Sequence, residues 1–244
     1  MRVYKVKDYD EMSRRAAHMI AAQVILKPDC KLGLATGSTP KGTYDYLIKW
    51  HKENYLDFKD VTIVNLDEYK GLCSDNEQSY HYYMKNRLIK HINVKEENTF
   101  IPDGSELDSE KACKEFSYIL KRIGRLDLQV LGMGHNGHIG FNEPGDSYEL
   151  GVHCVDLTEM TIKANSRFFD SISEVPTQAY TMGIKDIMSS KKILFIANGE
   201  CKAEIVKKAF FGPVTPQVPA SILQLHNDFT IIADEAALSL VEGL

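Results

Sequence analysis

The chain has 244 residues, 43% of them hydrophobic and 26% charged, which is enough apolar material for one domain with a substantial core. Its formal net charge is -5 and no basic stripe is visible, so no nucleic-acid partner is expected, and a site for an anion must create its own local positive field. Five scattered cysteines without a CxxC pair, an N-terminus without an apolar h-region, and no apolar run near the roughly 18–20 residues of a membrane span argue against a disulfide framework and a membrane partner. A cytoplasmic protein is expected.

Along the chain, 11–26 has helical periodicity, and LGLA (32–35) and VTIVNL (61–66) read as buried strands. The segment 79–92 is again helical. In 106–124 the residues Ala112, Phe116, Leu120 and Ile123 recur at spacings of four, four and three, which marks one helix face. LDLQVLGMG (126–134), VHCVDL (152–157), KKILFIANG (191–199) and FTIIAD (229–234) read as further strands, with a helix over 200–211 between the last two. Near-continuous apolar runs suit strands buried on both faces. The alternation predicts an α/β fold, a mostly parallel sheet with helices on both faces. No repeat, low-complexity tract or Pro/Gly linker interrupts it, so a single domain over 1–244 is expected.

Ligands of such sheets bind beyond the carboxyl ends of the strands. The first loop there is Thr36-Gly37-Ser38-Thr39-Pro40. Its glycine allows close approach of a ligand, Ser38 or Thr39 can cap the next helix, and Pro40 fits its first turn. The free N–H groups of a helix start suit an anion, although an ordinary strand–helix turn explains the same residues. The second loop, Asn65-Leu66-Asp67-Glu68-Tyr69, puts two acids at a strand end, for a metal, a base or a simple turn cap.

The third loop runs from Gly132 to Gly145 and packs five glycines around His135, His138, Asn136, Asn142 and Glu143. So many glycines cost backbone entropy, and they make sense where backbone must wrap closely around a small ligand. The HExxH pattern is absent and no helix sets ligand spacing, so metal-free acid/base chemistry is expected rather than zinc. The fourth loop, Gly199-Glu200-Cys201-Lys202, places a lysine in a first helical turn, where a bound phosphate would offset the unfavourable dipole; a solvated lysine is the alternative. Arg167, in ANSRFF (164–169), can grip phosphate bidentately or serve a structural ion pair.

LATGSTP, NLDEYKGL, GHNGHIGFNEPG, ANSRFF and QLH occur in one order over 34–226, and together they resemble the glucosamine-6-phosphate deaminase (glucosamine/galactosamine-6-phosphate isomerase) family. The resemblance implies a Rossmann-like fold, no cofactor and no metal, a sugar phosphate as partner, and a lid around 153–182. It implies an enzyme of hydrolase/isomerase type in amino-sugar catabolism that converts glucosamine 6-phosphate to fructose 6-phosphate and ammonia. Asp67 would remove the C2 proton and His138 would open the sugar ring. Asn136 and Glu143 would orient His138, and Gly37, Ser38, Thr39, Arg167 and Lys202 would hold the phosphate.

Many members carry Asp where this chain has Asn136, which leaves Glu143 as the charged partner expected for His138. The segment 146–153 lacks Arg and Lys and the tail stops at Leu244, so the family's allosteric site is expected to be absent. That leans toward a monomer, with a homo-oligomer as the alternative. Two rival readings share the fold: a 6-phosphogluconolactonase-like hydrolase, and a sugar-phosphate sensing module. The second would need an attached helix-turn-helix, for which the start of the chain is expected to leave no room.

Overall fold

The computed structural model describes residues 1–243; Leu244, the end of the expected domain and tail, lies outside the described residues. The strands are β1 (Arg2–Val6), β2 (Lys31–Leu34), β3 (Thr62–Asn65), β4 (Asp67–Tyr69), β5 (Thr99–Phe100), β6 (Leu128–Leu131), β7 (His153–Asp156), β8 (Gln178–Thr181), β9 (Ile193–Ala197) and β10 (Phe229–Asp234). The helices are α1 (Tyr9–Leu26), α2 (Lys41–Lys52), α3 (Tyr80–Arg87), α4 (Ser109–Ile123), α5 (Glu159–Asn165), α6 (Ile184–Met188) and α7 (Ala203–Phe211).

Seven strands form one sheet in the order β1-β10-β9-β6-β2-β3-β5, with every pairing parallel. Its central strands feed two cores. In β9, Leu194 and Ile196 pack with Met12 and Ile20 of α1 and with Tyr44 of α2, whereas Ile193, Phe195 and Ala197 pack with Val206 and Phe210 of α7. A strand covered on both faces needs apolar residues at both parities, which is why it reads as an unbroken run. Helices on both faces follow, as the alternation predicts.

Starting from β2, the chain builds outward through β3 and β5, then crosses back to β6, β9 and β10 on the other side. The loops after β2 and β6 therefore diverge at a switch point, where a crevice opens at the carboxyl edge. At the opposite edge, buried Asp127 accepts from Lys27 Nζ (2.7 Å), Lys191 Nζ (2.8 Å) and the Lys31 N–H (2.9 Å). Burial pushes its carboxyl up, but the two ammonium groups outweigh that and hold it at about 2.

Two local expectations are corrected. VHCVDL does form β7, yet it pairs antiparallel with β8 in a small sheet of order β4-β8-β7, outside the main sheet. His153 and Asp156 break its apolar run, so the strand tolerates solvent on one side, and its residues are half-buried or exposed. The second correction concerns α2, which starts at Lys41 behind Pro40 and takes no side-chain cap from Ser38 or Thr39. Pro40 holds the cap position and needs no N–H partner there. No helix among the described residues is long and apolar enough to cross a membrane.

Candidate active site

All four sequence-predicted loops line one cleft of about 260 Å³ at the switch point, including Gly37, Ser38, Thr39, Asp67, Asn136, His138, Arg167 and Lys202. Glu143 stands behind His138 instead of lining the cleft.

The first loop is held from behind by three tyrosines. Tyr44 donates to the Ala35 carbonyl (2.5 Å), Tyr83 to the Gly37 carbonyl (2.6 Å) and Tyr9 to the Ser38 carbonyl (3.3 Å). Gly37 adopts φ +92°, a left-handed conformation that side chains resist. With its carbonyls engaged from behind, the loop suits a ligand that accepts hydrogen bonds. The same cleft is lined by Arg167, whose Cζ stands 4.7 Å from the centre of the Phe168 ring, and by Lys202, whose Nζ donates to the Met133 carbonyl (2.6 Å). Neither cation has a carboxylate partner among the described residues. Burial, aided by the Arg167 charge, lowers the Lys202 ammonium to about 8. His135, also in the cleft wall, is lowered by burial and by the charges of Lys202 and Arg167.

Asp67, also in the cleft wall, opens β4 and is only 7% exposed. Burial, with the Glu68 charge beside it, raises its carboxyl to about 8. Glu68 has a different task. It accepts from the N–H groups of Tyr69 (2.8 Å), Tyr80 (2.9 Å) and His81 (2.9 Å), which fastens the start of α3 to β4. Burial raises Glu68 to about 7, with those N–H groups pulling downward. Gly140 brings the third loop against Asp67; a Cβ there would stand 2.7 Å from Thr181 Oγ1 and 3.5 Å from Asp67 Oδ2.

His138 Nδ1 lies 3.4 Å from Glu143 Oε2. Burial pushes the Glu143 carboxyl up, but His138, Thr161 and Asn136 prevail and hold it below its ordinary value, so it stands ionised behind the imidazole. Asn136 does not hydrogen-bond the ring. Its Oδ1 accepts from the His138 backbone N–H (3.2 Å) and its Nδ2 donates to Glu143 Oε2 (2.5 Å). Gly134 leaves room on the far side, since a Cβ there would meet His138 Nε2 at 2.4 Å.

The sequence reading missed Thr158 and Thr161, both bonded to Glu143, and the aromatic wall of Tyr80 stacked on Phe141 (5.9 Å between ring centres, planes 9° apart). A signal for the threonines exists: Thr158-x-x-Thr161 has helix-start spacing, and Thr158 caps α5 by accepting from the Thr161 N–H. The QLH motif proves structural. Buried His226 accepts from the Asp228 N–H at Nδ1 (3.1 Å), so its Nε2 donates to the Ser190 carbonyl (2.9 Å). No group of three or more His, Cys, Asp or Glu suited to a metal ion occurs among the described residues.

The model of the family described as glucosamine-6-phosphate isomerases/6-phosphogluconolactonase matches residues 7–232. A glucosamine-6-phosphate deaminase from Lachnoclostridium phytofermentans is 56% identical over 232 residues, covering 95% of this chain and 98% of that protein. One from Clostridium acetobutylicum is 55% identical over 241 residues, covering 99% and 100%. A solved structure of a monomeric glucosamine-6-phosphate deaminase superposes with a TM-score of 0.96 at 48% identity, covering 98% of this chain and 100% of its own. With its fold, its cleft and its sequence all agreeing over nearly the whole length, the chain belongs to the glucosamine-6-phosphate isomerase/6-phosphogluconolactonase family.

Proposed function

We propose that this protein converts glucosamine 6-phosphate and water to fructose 6-phosphate and ammonia. The observation that carries the reading is what one cleft brings together: Arg167 and Lys202, which have no carboxylate partner among the described residues, a buried carboxyl, and a carboxylate-backed histidine. Relatives more than half identical to it bear the deaminase name. The broader class of hydrolase expected from the sequence gains no support from them, and isomerising deaminase is the more specific description.

The phosphate is held by Arg167, Lys202 and the loop Gly37-Ser38-Thr39. A dianion there offsets the burial and the Arg167 charge that otherwise lower Lys202. Binding energy gathered at this remote end positions the reacting carbons. His138, oriented by Glu143 with Asn136 bracing both, moves a proton between O1 and the ring oxygen, which opens the ring and exposes the C1 aldehyde. Asp67 then takes the C2 proton, which the adjacent carbonyl makes acidic. In the empty site Asp67 is largely protonated near neutrality; the C2 ammonium of the substrate favours its ionised form. Delivery of a proton to C1 leaves the unsaturation at C2 as an iminium, water adds there, and ammonia departs.

The whole of 1–244 acts in this reading as one catalytic domain that is monomeric, like the solved relative. The segment 153–182 serves as the lid, a role supported by Met160, Ala164, Asn165 and Arg167, which line the cleft. The test is direct: the purified protein should release ammonia from glucosamine 6-phosphate and leave 6-phosphogluconolactone untouched. The reverse pattern would favour a lactonase.

A further inference from the structure

Glu143 divides its two oxygens between two parts of the fold. Oε2 faces the glycine loop, 2.5 Å from Asn136 Nδ2 and 3.4 Å from His138 Nδ1. Oε1 faces the segment at α5: Thr161 Oγ1 donates to it at 2.5 Å, Thr158 Oγ1 at 3.3 Å and the Thr158 N–H at 3.5 Å. Thr161 is 3% exposed, and its Oγ1 also lies 3.4 Å from His138 Nδ1.

A hydroxyl has one proton to give. With that proton on Glu143 Oε1, only oxygen lone pairs remain to face Nδ1, as does the carboxylate Oε2. An imidazole nitrogen surrounded by two acceptors must itself carry hydrogen. The other nitrogen, Nε2, is then the proton acceptor, and it is the one with space left by Gly134. The same hydroxyl restrains rotation of the carboxylate that backs the ring. Thr161 lies in the segment that also carries Arg167, so the seating of that segment and the state of the histidine are linked through one side chain.

We infer that Thr161 is a positioning residue: its hydroxyl bridges Glu143 and His138, fixes the histidine in the Nδ1–H form, and ties that form to the seating of α5. The kinetic part of this inference rests on the proposed deaminase reading, whereas the tautomer does not. Where an outer partner orients a metal-bound histidine, its loss typically lowers activity roughly 10- to 100-fold, and a loss of the same order is expected for a histidine that moves protons.

The test compares wild type, Thr161→Val, which keeps the shape without the hydroxyl, and Thr161→Ser, which restores it. ¹⁵N-histidine NMR of the ligand-free proteins reads the His138 tautomer. Wild type and Thr161→Ser should hold the Nδ1–H form, and Thr161→Val should show a several-fold larger Nε2–H share. In the ammonia assay Thr161→Val should lose about tenfold in kcat with KM within about twofold, and Thr161→Ser should recover most of it. The inference is overturned if Thr161→Val keeps both the wild-type tautomer and the wild-type kcat, or if Thr161→Ser is as impaired as Thr161→Val. A wild type that releases no ammonia would remove the deaminase reading, and the NMR comparison would still decide the role of Thr161.

Discussion

Asp67 holds its proton in the folded protein up to about pH 8, while in the unfolded chain an aspartate releases it near 3.9, about four units lower. Between those values the folded state binds the extra proton, so the contribution of Asp67 to stability is greatest below about pH 4 and declines as pH rises from about 4 to about 8. Asp67→Asn removes that dependence. Its melting temperature relative to wild type should climb through this window and level off above it, whereas a constant difference from pH 4 to 9 would show that Asp67 ionises normally. Behind His138, Glu143→Gln removes the charge that supports an imidazolium; kcat should fall roughly 10- to 100-fold with a changed pH profile, and an unchanged profile would free Glu143 of that task. The sequence announced Asp67 and His138 unequally. Five glycines around His138 signalled a ligand before any resemblance entered, while Asp67 looked like an ordinary loop acid because its burial depends on β8 and Gly140, remote in sequence. Thr161 showed no more than helix-start spacing with Thr158, since its hydroxyl acquires its role only when α5 meets Glu143.

The long strands buried on both faces were the most legible elements. β9 and β10 are covered on both faces and read as unbroken apolar runs. β1, an edge strand with exposed Arg2 and Lys5, and β8, which begins Gln178-Ala179, carry no such run, and both went unread. The site consequently has a second, small sheet behind Asp67 that periodicity did not reveal. Away from the site, Asp127 ties the start of β6 to Lys27 and Lys191. Its folded value of about 2 lies below the unfolded one, so the stability it confers is present above about pH 4 and is lost as pH falls toward 2. Both lysines are partly solvated, which limits each pair to about 1 kcal/mol or less. Asp127→Asn should therefore be less stable than wild type at pH 6 and approach it near pH 2 in denaturant titrations; an equal gap at both would make the cluster electrostatically idle.

For the molecule as a whole, the parallel sheet delivers four loops from distant parts of the chain to one crevice, and that convergence follows from strand order rather than from any single motif. In the proposed reading the phosphate is held by two of these loops and by Arg167 just after α5, so Lys202→Ala and Arg167→Ala should each raise KM at least tenfold, with light scattering still reporting the mass of one chain. Unchanged KM in both would place the phosphate elsewhere. The assignment of the proton-moving groups is tested most directly by ammonia release from glucosamine 6-phosphate by wild type beside Asp67→Asn and His138→Gln. Wild type should release ammonia and each variant should lose at least about 100-fold, within the 10²–10⁴-fold range of acid/base catalysis. Ammonia release at the wild-type rate by both variants would contradict the assignment of Asp67 and His138 as the groups that move the protons.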